Sequence, residues 1–162
     1  MLRDWNWNNH SDQERYAAFM HIDLGAEVGG RVRVSYDFML NRSAAAAGSD
    51  IFPVQLFDGG GRLIMARRAN TSSSRFGHFD PGLGLDQPTW QDNTNVWIAL
   101  EVLLDFDAMV FDVYLNGSVY ESGVPIPTGI RGVRYVVANT NTGNHATQTM
   151  NLLIDNILVT AN

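Results

Sequence analysis

The sequence predicts an all-β protein, a two-sheet antiparallel β-sandwich that forms a single domain over residues 1–162. Fifteen glycines and frequent turn signals divide the chain into about nine to eleven short apolar segments. Several of these segments alternate apolar and polar residues with period two, which is typical of strands that bury one face. The chain shows no repeat of the length that builds propellers or β-helices, which favours a sandwich.

The composition describes a globular chain, 45% hydrophobic and 17% charged. A net charge of −6 argues against nucleic-acid binding, because phosphate contacts need a basic surface. No apolar run approaches the roughly 18 residues of a membrane-spanning helix. The N-terminal residues show no secretory signal, so we expect either a domain of a secreted protein or a protein that does not use that route.

The first elements are predicted in order along the N-terminal half. Tyr16–Leu24 is interpreted as a strand rather than a helix opening at Ser11, because the alternating segment Arg31–Leu40 is a suitable partner for it. The elements that follow are a loop over Asn41–Asp50, a strand over Ile51–Phe57, a turn at Asp58–Gly61 and a strand over Arg62–Arg68. Residues 69–95 are predicted to be a long connection without regular structure.

The stretch from Val96 to Gly117 predicts a central hairpin with its loop at Phe106–Met109. Antiparallel pairing places three apolar pairs on one face: Leu100 with Leu115, Val102 with Val113, and Leu104 with Phe111. A shift of one residue would turn all of them to solvent, which supports this register. The remaining predicted elements are a strand over Ser118–Glu121, a crossover over 124–129, and two strands over Val133–Ala138 and Leu152–Val159.

The order of these segments resembles a known fold. The segments that carry the resemblance are Arg31–Phe38, the Gly-rich turn Asp58–Gly61, the Trp-led strand Trp97–Leu104, the strand Phe111–Gly117 that ends in Asn-Gly, and Ile154–Val159. The series resembles the concanavalin A-like, laminin G-like jelly rolls of bacterial secreted proteins and carbohydrate-active enzymes. The resemblance implies the fold more strongly than a function, because this sandwich hosts lectins, glucanases, adhesion modules and virion proteins.

Candidate ligand-binding residues lie on the outward face of the central hairpin: Trp97, Glu101, Asp112 and Tyr114. Sugar rings present apolar C–H faces that stack on aromatic rings, and carboxylates accept hydrogen bonds from sugar hydroxyls. A covering loop, another sheet or a subunit interface would bury the same aromatic side chains, and this structural alternative stays open.

Metal binding is a second hypothesis. Asp105 and Asp107 at the hairpin tip and Asp155 in the last strand offer the hard oxygen ligands that suit Ca²⁺. The resemblance implies that related modules often carry one structural calcium. Aspartate also forms turns by bonding to its own backbone, so the calcium site is an expectation to be tested, and no other cofactor is expected.

No catalytic site is predicted. Glu101 and Asp105 share a face but lie about 13 Å apart along the strand, whereas a retaining glycosidase needs carboxylates about 5–5.5 Å apart. The histidines lack the spacing of a zinc enzyme. A lyase constellation of Arg33, Tyr114 and His145 remains an alternative.

The sequence therefore favours a non-catalytic carbohydrate-binding or adhesion module with a glycan as its partner. The first alternative is a structural or host-attachment protein of a virus or surface assembly, and the second is a polysaccharide lyase or glycoside hydrolase. We expect an extracellular, virion or surface location, and a homo-oligomer or larger assembly is compatible with each of these functions.

Overall fold

The computed structural model describes residues 17–42, 50–70, 75–80, 84–86, 95–141 and 150–161, and these ranges fold into strands and turns. In chain order the strands are β1 (Ala17–Val28), β2 (Arg31–Arg42), β3 (Asp50–Phe57), β4 (Leu63–Asn70), β5 (Arg75–Asp80), β6 (Gly84–Asp86), β7 (Trp97–Asp105), β8 (Val110–Leu115), β9 (Ser118–Pro125), β10 (Val133–Asn141) and β11 (Met150–Ala161). They confirm the predicted all-β class. The helix considered for Ser11 and the loop histidine His145 lie outside the described residues.

The described strands form two antiparallel sheets that pack face to face. The six-stranded sheet has the order β1-β10-β3-β4-β5-β6, and the five-stranded sheet has the order β11-β2-β7-β8-β9. Their facing sides bury one apolar core. The largest part of this core comes from alternate residues of β2, β7 and β8: Val32, Val34, Tyr36, Phe38, Ile98, Leu100, Val102, Leu104, Phe111, Val113 and Leu115. The predicted two-sheet antiparallel β-sandwich is confirmed.

The central hairpin has the register that the sequence predicts. Leu100 pairs with Leu115, Val102 with Val113 and Leu104 with Phe111. The prediction differs at one end, because the strand begins at Trp97 and Val96, just before it, is 50% exposed. Asn95 precedes it with a positive φ of 63°, which turns the chain at this point instead of extending the alternation.

The predicted pairing of the first two strands is wrong. β1 pairs with β10 in one sheet, and β2 pairs with β7 and β11 in the other. Only Gly29 and Gly30 connect β1 to β2, and Gly30 has a φ of 72° that favours glycine. β1 and β2 both turn apolar side chains towards the same core, so they face each other across it. Two strands that cover opposite sides of one core cannot also be hydrogen-bonded neighbours.

The long unstructured connection predicted for residues 69–95 is also wrong in part. β4 continues to Asn70, and the short strands β5 and β6 follow within this segment. β5 pairs with β4, and β6 pairs with β5, so the six-stranded sheet is extended at one edge. The sequence around these strands is rich in Ser, Gly and Pro, and strands this short carry too few residues for a recognisable alternation.

Polar contacts also cross between the sheets. The Tyr36 hydroxyl on β2 donates a hydrogen bond to the Pro53 carbonyl on β3, and its burial raises the pKa of Tyr36 well above its ordinary value. Arg67 on β4 is fully buried, forms an ion pair with Glu121 on β9, and lies over the Phe111 ring at 5.3 Å. The interior is therefore not purely apolar, and a charge pair joins β4 to the edge strand β9.

Candidate ligand-binding face

The five-stranded sheet presents its second side away from the core, and we call this side the outer face. It consists of the residues that alternate with the buried ones, including Arg31, Arg33, Ser35, Asp37, Met39, Trp97, Ala99, Glu101, Leu103, Asp105, Asp112, Tyr114, Leu153 and Asp155. The four candidate ligand residues predicted from the sequence all belong to it. They form two groups, because Trp97 lies at a different position along the strands from Glu101, Asp112 and Tyr114.

Glu101, Asp112 and Tyr114 lie close together at the centre of the outer face. Glu101 is the direct cross-strand neighbour of Tyr114, and Asp112 is the neighbour of Leu103, two residues further along β7. Arg33 on β2 forms an ion pair with Glu101, and their side chains are 51% and 27% exposed. This centre thus combines a half-buried phenol with a charge pair that solvent reaches.

Asp112 has a structural contact that the sequence does not reveal. Its Oδ1 atom accepts hydrogen bonds from the Ser122 hydroxyl at 2.7 Å and from the Gly123 amide at 2.8 Å. The pairing of β8 with β9 shifts register at this point, and Gly123 has a φ of 66°. Asp112 therefore stabilises the bulge in the edge strand, and its second carboxylate oxygen is the one left to meet a ligand.

Trp97 lies about 13 Å along β7 from Glu101, at the other end of the outer face. Its cross-strand neighbour on β2 is Met39, and the neighbour of Met39 on β11 is Leu153. Direct neighbours in antiparallel sheets have their Cβ atoms about 4.5–5.5 Å apart, so these three side chains form a continuous line. Trp97 is 47% exposed and Leu153 is 40% exposed. We call Leu153, Met39 and Trp97 the apolar row.

Next to the apolar row lies a row with two carboxylates. Asp155 on β11 pairs directly with Asp37 on β2, which in turn pairs with Ala99 on β7. The Asn156 side-chain amide donates to Asp37 Oδ2 at 2.6 Å, and the Asn156 backbone amide donates to Asp155 Oδ1 at 2.8 Å. Asn156 has a φ of 56° within a register shift of β11. We call Asp155, Asp37 and Ala99 the acidic row.

The sequence analysis did not single out Asp37 or Met39 as site residues. The alternation of Arg31–Leu40 places Asp37 outward, but its pairing with Asp155 joins residues 118 positions apart. Such a pairing depends on which strands become neighbours, and the sequence pattern contains no signal for it. An outward-facing methionine in the same strand as Asp37 is the available clue, because the other outward positions of that strand are polar.

The three candidate calcium ligands do not share one site. Asp105 accepts hydrogen bonds from the amides of Ala108 at 2.8 Å and Asp107 at 3.0 Å, and pairs with Arg31 at 2.9 Å. The Ala108 amide and the Arg31 guanidinium hold the pKa of Asp105 below its ordinary value. Asp105 pairs with Arg31 at the start of β2, whereas Asp155 pairs with Asp37 in the middle of that strand, six residues or about 20 Å away.

Metal binding therefore has to be considered separately at the hairpin tip and at Asp155. Asp105 behaves as a turn former, with Asp107 at the same hairpin tip. In the part of the chain that the structure describes, no three His, Cys, Asp or Glu side chains converge in a geometry for a metal ion. The calcium site stays a prediction.

The enzyme alternatives depend on two sets of residues: Glu101 with Asp105, and Arg33 with Tyr114 and His145. Glu101 and Asp105 are four residues apart on β7, as the sequence indicates, and each is paired with a different arginine. For the lyase constellation, the structure brings Arg33 to Glu101, the neighbour of Tyr114, whereas the third member lies outside the described residues.

The six-stranded sheet carries a different aromatic cluster on the side away from the core. The His21 ring stacks on Tyr135 with centroids 5.2 Å apart, and the Arg134 guanidinium lies 5.1 Å from the Tyr135 centroid. Asp23 accepts hydrogen bonds from Arg134 at 3.1 and 3.3 Å. The Tyr135 ring is thus already in contact with two side chains, and the cation beside it is already paired.

None of the described residues forms a helix long and apolar enough to span a bilayer.

Comparison with known proteins identifies the fold. No protein-family model and no curated protein sequence matches the chain. Among solved structures, the chain is similar to a sialidase, with a TM-score of 0.68 and 11% identity over 90% of this chain, although it covers only 14% of that protein. The carbohydrate recognition domain of Emp47p has a TM-score of 0.60 and 10% identity, covering 90% of this chain and 78% of that one.

An endo-β-1,4-glucuronan lyase from Trichoderma reesei gives a TM-score of 0.65 and 13% identity, with 95% of this chain and 78% of the lyase covered. Together with the two sheets described above, these likenesses confirm a concanavalin A-like jelly roll. At such low identity they show the fold alone.

Proposed function

We propose that the protein is a non-catalytic carbohydrate-binding module that holds a glycan on the outer face of its five-stranded sheet. The observation that carries the proposal is the exposed apolar row beside the acidic row. A sugar ring needs an apolar surface for its C–H face and acceptors at its rim, and these two rows supply both.

The geometry suggests how a sugar is held. One ring stacks on the Trp97 indole, and the flat surface of Met39 and Leu153 extends the contact across the strands. Asp37 lies diagonally next to Trp97, where its carboxylate accepts hydrogen bonds from ring hydroxyls. Ala99, next to Asp37, has a small side chain and leaves room for the sugar. Towards the centre of the face, Tyr114 and the Arg33–Glu101 pair are positioned to contact a second sugar.

The names of structurally similar proteins support a glycan as the ligand class. The Emp47p domain is a carbohydrate recognition domain, and another similar protein is a galectin from the ball sponge Cinachyrella. Others are sialidases and polysaccharide lyases, so the fold alone does not separate binding from catalysis. We favour binding because the carboxylates at the centre of the outer face are engaged in an ion pair or in backbone contacts. Location outside the cell or on a virion surface stays a prediction.

The test is binding to an array of immobilised polysaccharides by the wild type and by Trp97→Ala. We expect the substitution to weaken binding about tenfold or more, because loss of an aromatic contact costs about 0.5–1.5 kcal/mol in addition to the buried area. Its melting temperature should fall by no more than a few degrees, since Trp97 is half exposed.

Tyr135→Ala is the matched control, because Tyr135 is an aromatic residue on the side of the six-stranded sheet that faces away from the core. This variant should bind like the wild type. Unchanged binding by Trp97→Ala, or no binding of the wild type to any polysaccharide, would contradict the proposal.

A further inference from the structure

The charges of the outer face limit the class of glycan that the proposed site can bind. Its described side chains include five carboxylates and two guanidiniums, an excess of three negative charges: Asp37, Glu101, Asp105, Asp112 and Asp155 against Arg31 and Arg33. The whole chain has a net charge of −6 as well. A ligand that approaches this surface therefore meets a negative potential.

Both guanidiniums of the outer face are already paired. Arg31 Nε lies 2.9 Å from Asp105 Oδ2, and Arg33 forms an ion pair with Glu101. A carboxylate or sulfate on a sugar gains little from either arginine, because binding it means competing with a protein carboxylate for the same cation. Strong recognition of an anion requires a cation that is free to make charge-assisted hydrogen bonds.

The remaining carboxylates are held by neutral donors. Asp37 accepts from the Asn156 side chain, Asp155 from the Asn156 backbone, and Asp112 from Ser122 and Gly123. Asp37 and Asp155 are direct neighbours, although like charges opposite each other destabilise a sheet. This pair lies beside the apolar row, where an acidic sugar would bring a third negative charge close to it.

We infer that the glycan bound by this face is an uncharged polysaccharide, and that uronic-acid and sulfated glycans are excluded by charge. The inference rests on the proposed function, because it describes the ligand of the same apolar row. Sugar hydroxyls are hydrogen-bond donors, and the adjacent carboxylates of Asp37 and Asp155, each bonded to a neutral donor of Asn156, are suited to accept from them. The same carboxylates repel a sugar that carries its own charge.

The experiment uses matched ligands that differ only in charge. Gluco-, galacto- and manno-oligosaccharides are titrated into the protein beside the same oligosaccharides oxidised at C6 to uronates, at low and at high salt. We expect the neutral member of a bound pair to bind about tenfold more tightly at low salt, because the carboxylates of Asp37 and Asp155 both repel the charge of the oxidised sugar. The difference should shrink at 1 M salt, where the Debye length is only about 3 Å.

A double variant distinguishes charge repulsion of the oxidised sugar from the loss of a hydrogen bond at its C6 position. The variant that combines Asp37→Asn with Asp155→Asn should reduce the ratio of the dissociation constants of the oxidised and the neutral ligand at low salt. The control is Asp23→Asn with Glu27→Gln, which removes two charges from the six-stranded sheet and should leave the ratio unchanged.

The outcomes are distinguishable. Equal or tighter binding of the uronate overturns the inference and leaves the proposed function in place. A preference for the neutral sugar that neither salt nor the double variant reduces reflects a lost contact at C6, and it overturns the inference as well. No binding to any of the six ligands overturns the proposed function and the inference with it.

Discussion

The two faces of the five-stranded sheet are built from the same strands, but different forces hold their side chains. On the inner face Val102 and Val113 pair at 0% exposure in a packed core. On the outer face, one position away in sequence, the side chains are half-buried or exposed and meet through ion pairs and apolar contacts. The inner face thus determines stability, whereas the described side chains of the outer face stay partly in contact with solvent.

The ion pairs show the same difference. Arg67 is fully buried between the sheets and pairs with Glu121, whereas Arg33 is half exposed and pairs with Glu101. Removal from water costs a charge several kcal/mol unless a partner compensates it, so Arg67 depends on Glu121 in a way that Arg33 does not depend on Glu101. A contact of the same chemical type therefore has a structural role on one face and a minor energetic role on the other.

The largest expected effect comes from placing a charge on the inner face. Val113→Asp should prevent folding, because an unpaired carboxylate in the packed core costs several kcal/mol and the whole domain is stable by only about 5–15 kcal/mol. Circular dichroism and solubility would check this. Val119→Asp makes the same substitution at a position that is 61% exposed and should fold normally. Cooperative folding of Val113→Asp would show that the two faces are assigned wrongly.

The buried ion pair gives the next largest effect. Arg67→Met should destabilise the protein by about 1–3 kcal/mol, because it leaves the Glu121 carboxylate, whose side chain is 22% exposed, without its cation. Combining it with Glu121→Leu should restore most of the loss, since an apolar pair suits a buried site. Arg33→Met on the outer face should cost no more than about 1 kcal/mol, as exposed pairs do. Urea unfolding of all three variants measures the difference, and equal costs for Arg67→Met and Arg33→Met would contradict the account.

Acid should lower the stability of the fold by protonating Asp58, which lies in the turn between β3 and β4 and belongs to neither face of the five-stranded sheet. Burial would raise the pKa of Asp58, but hydrogen bonds from the Arg62 amide and guanidinium hold it below its ordinary value of 3.8. A carboxyl whose pKa is lowered by folding stabilises the fold above its unfolded pKa and loses this contribution as the pH falls through the folded pKa. The melting temperature should therefore drop below about pH 4.

Asp58→Asn tests that assignment. The variant should be less stable than the wild type near neutral pH, and its melting temperature should depend less on pH between about 5 and 2. An equally steep acid dependence in the variant would show that other carboxylates are responsible.

The smallest effect is expected from metal removal. If calcium binds at Asp155 or at the hairpin tip of Asp105 and Asp107, EDTA lowers the melting temperature and added Ca²⁺ restores it. A site filled at about 100 times its dissociation constant contributes roughly 2.7 kcal/mol. Since Asp105 is already bonded to Arg31 and to two backbone amides, we expect little change from Asp107→Asn. A calcium-dependent shift that Asp155→Asn abolishes would place the ion on the outer face.

Local patterns predict the inner face well. The alternation in Trp97–Asp105 and Val110–Leu115 determines both the buried side of the hairpin and its register, because a one-residue slip would expose every apolar side chain. For the same reason the outward direction of Trp97, Glu101, Asp112 and Tyr114 follows directly from the pattern. The fold class follows from the number of such segments and the turns between them.

The sequence does not predict which distant strands pair with each other. β1 and β2 both alternate and are separated by two glycines, so a hairpin is the natural interpretation, although the chain crosses to the other sheet at Gly29 and Gly30. The contact between Asp37 and Asp155 and the burial of Arg67 against Glu121 likewise join distant strands. Each depends on the order of strands in the sheets, which local alternation does not specify.

The location of a bound glycan tests the central claim most directly. The side-chain indole N–H signal of Trp97 can be assigned by its loss in Trp97→Phe and followed by ¹⁵N NMR while a neutral oligosaccharide that the protein binds is titrated in. The account predicts a saturable shift of this signal and of the backbone amides of Met39 and Leu153, with little change at His21 and Tyr135 on the six-stranded sheet. Shifts confined to His21 and Tyr135, with Trp97 unmoved, would contradict it.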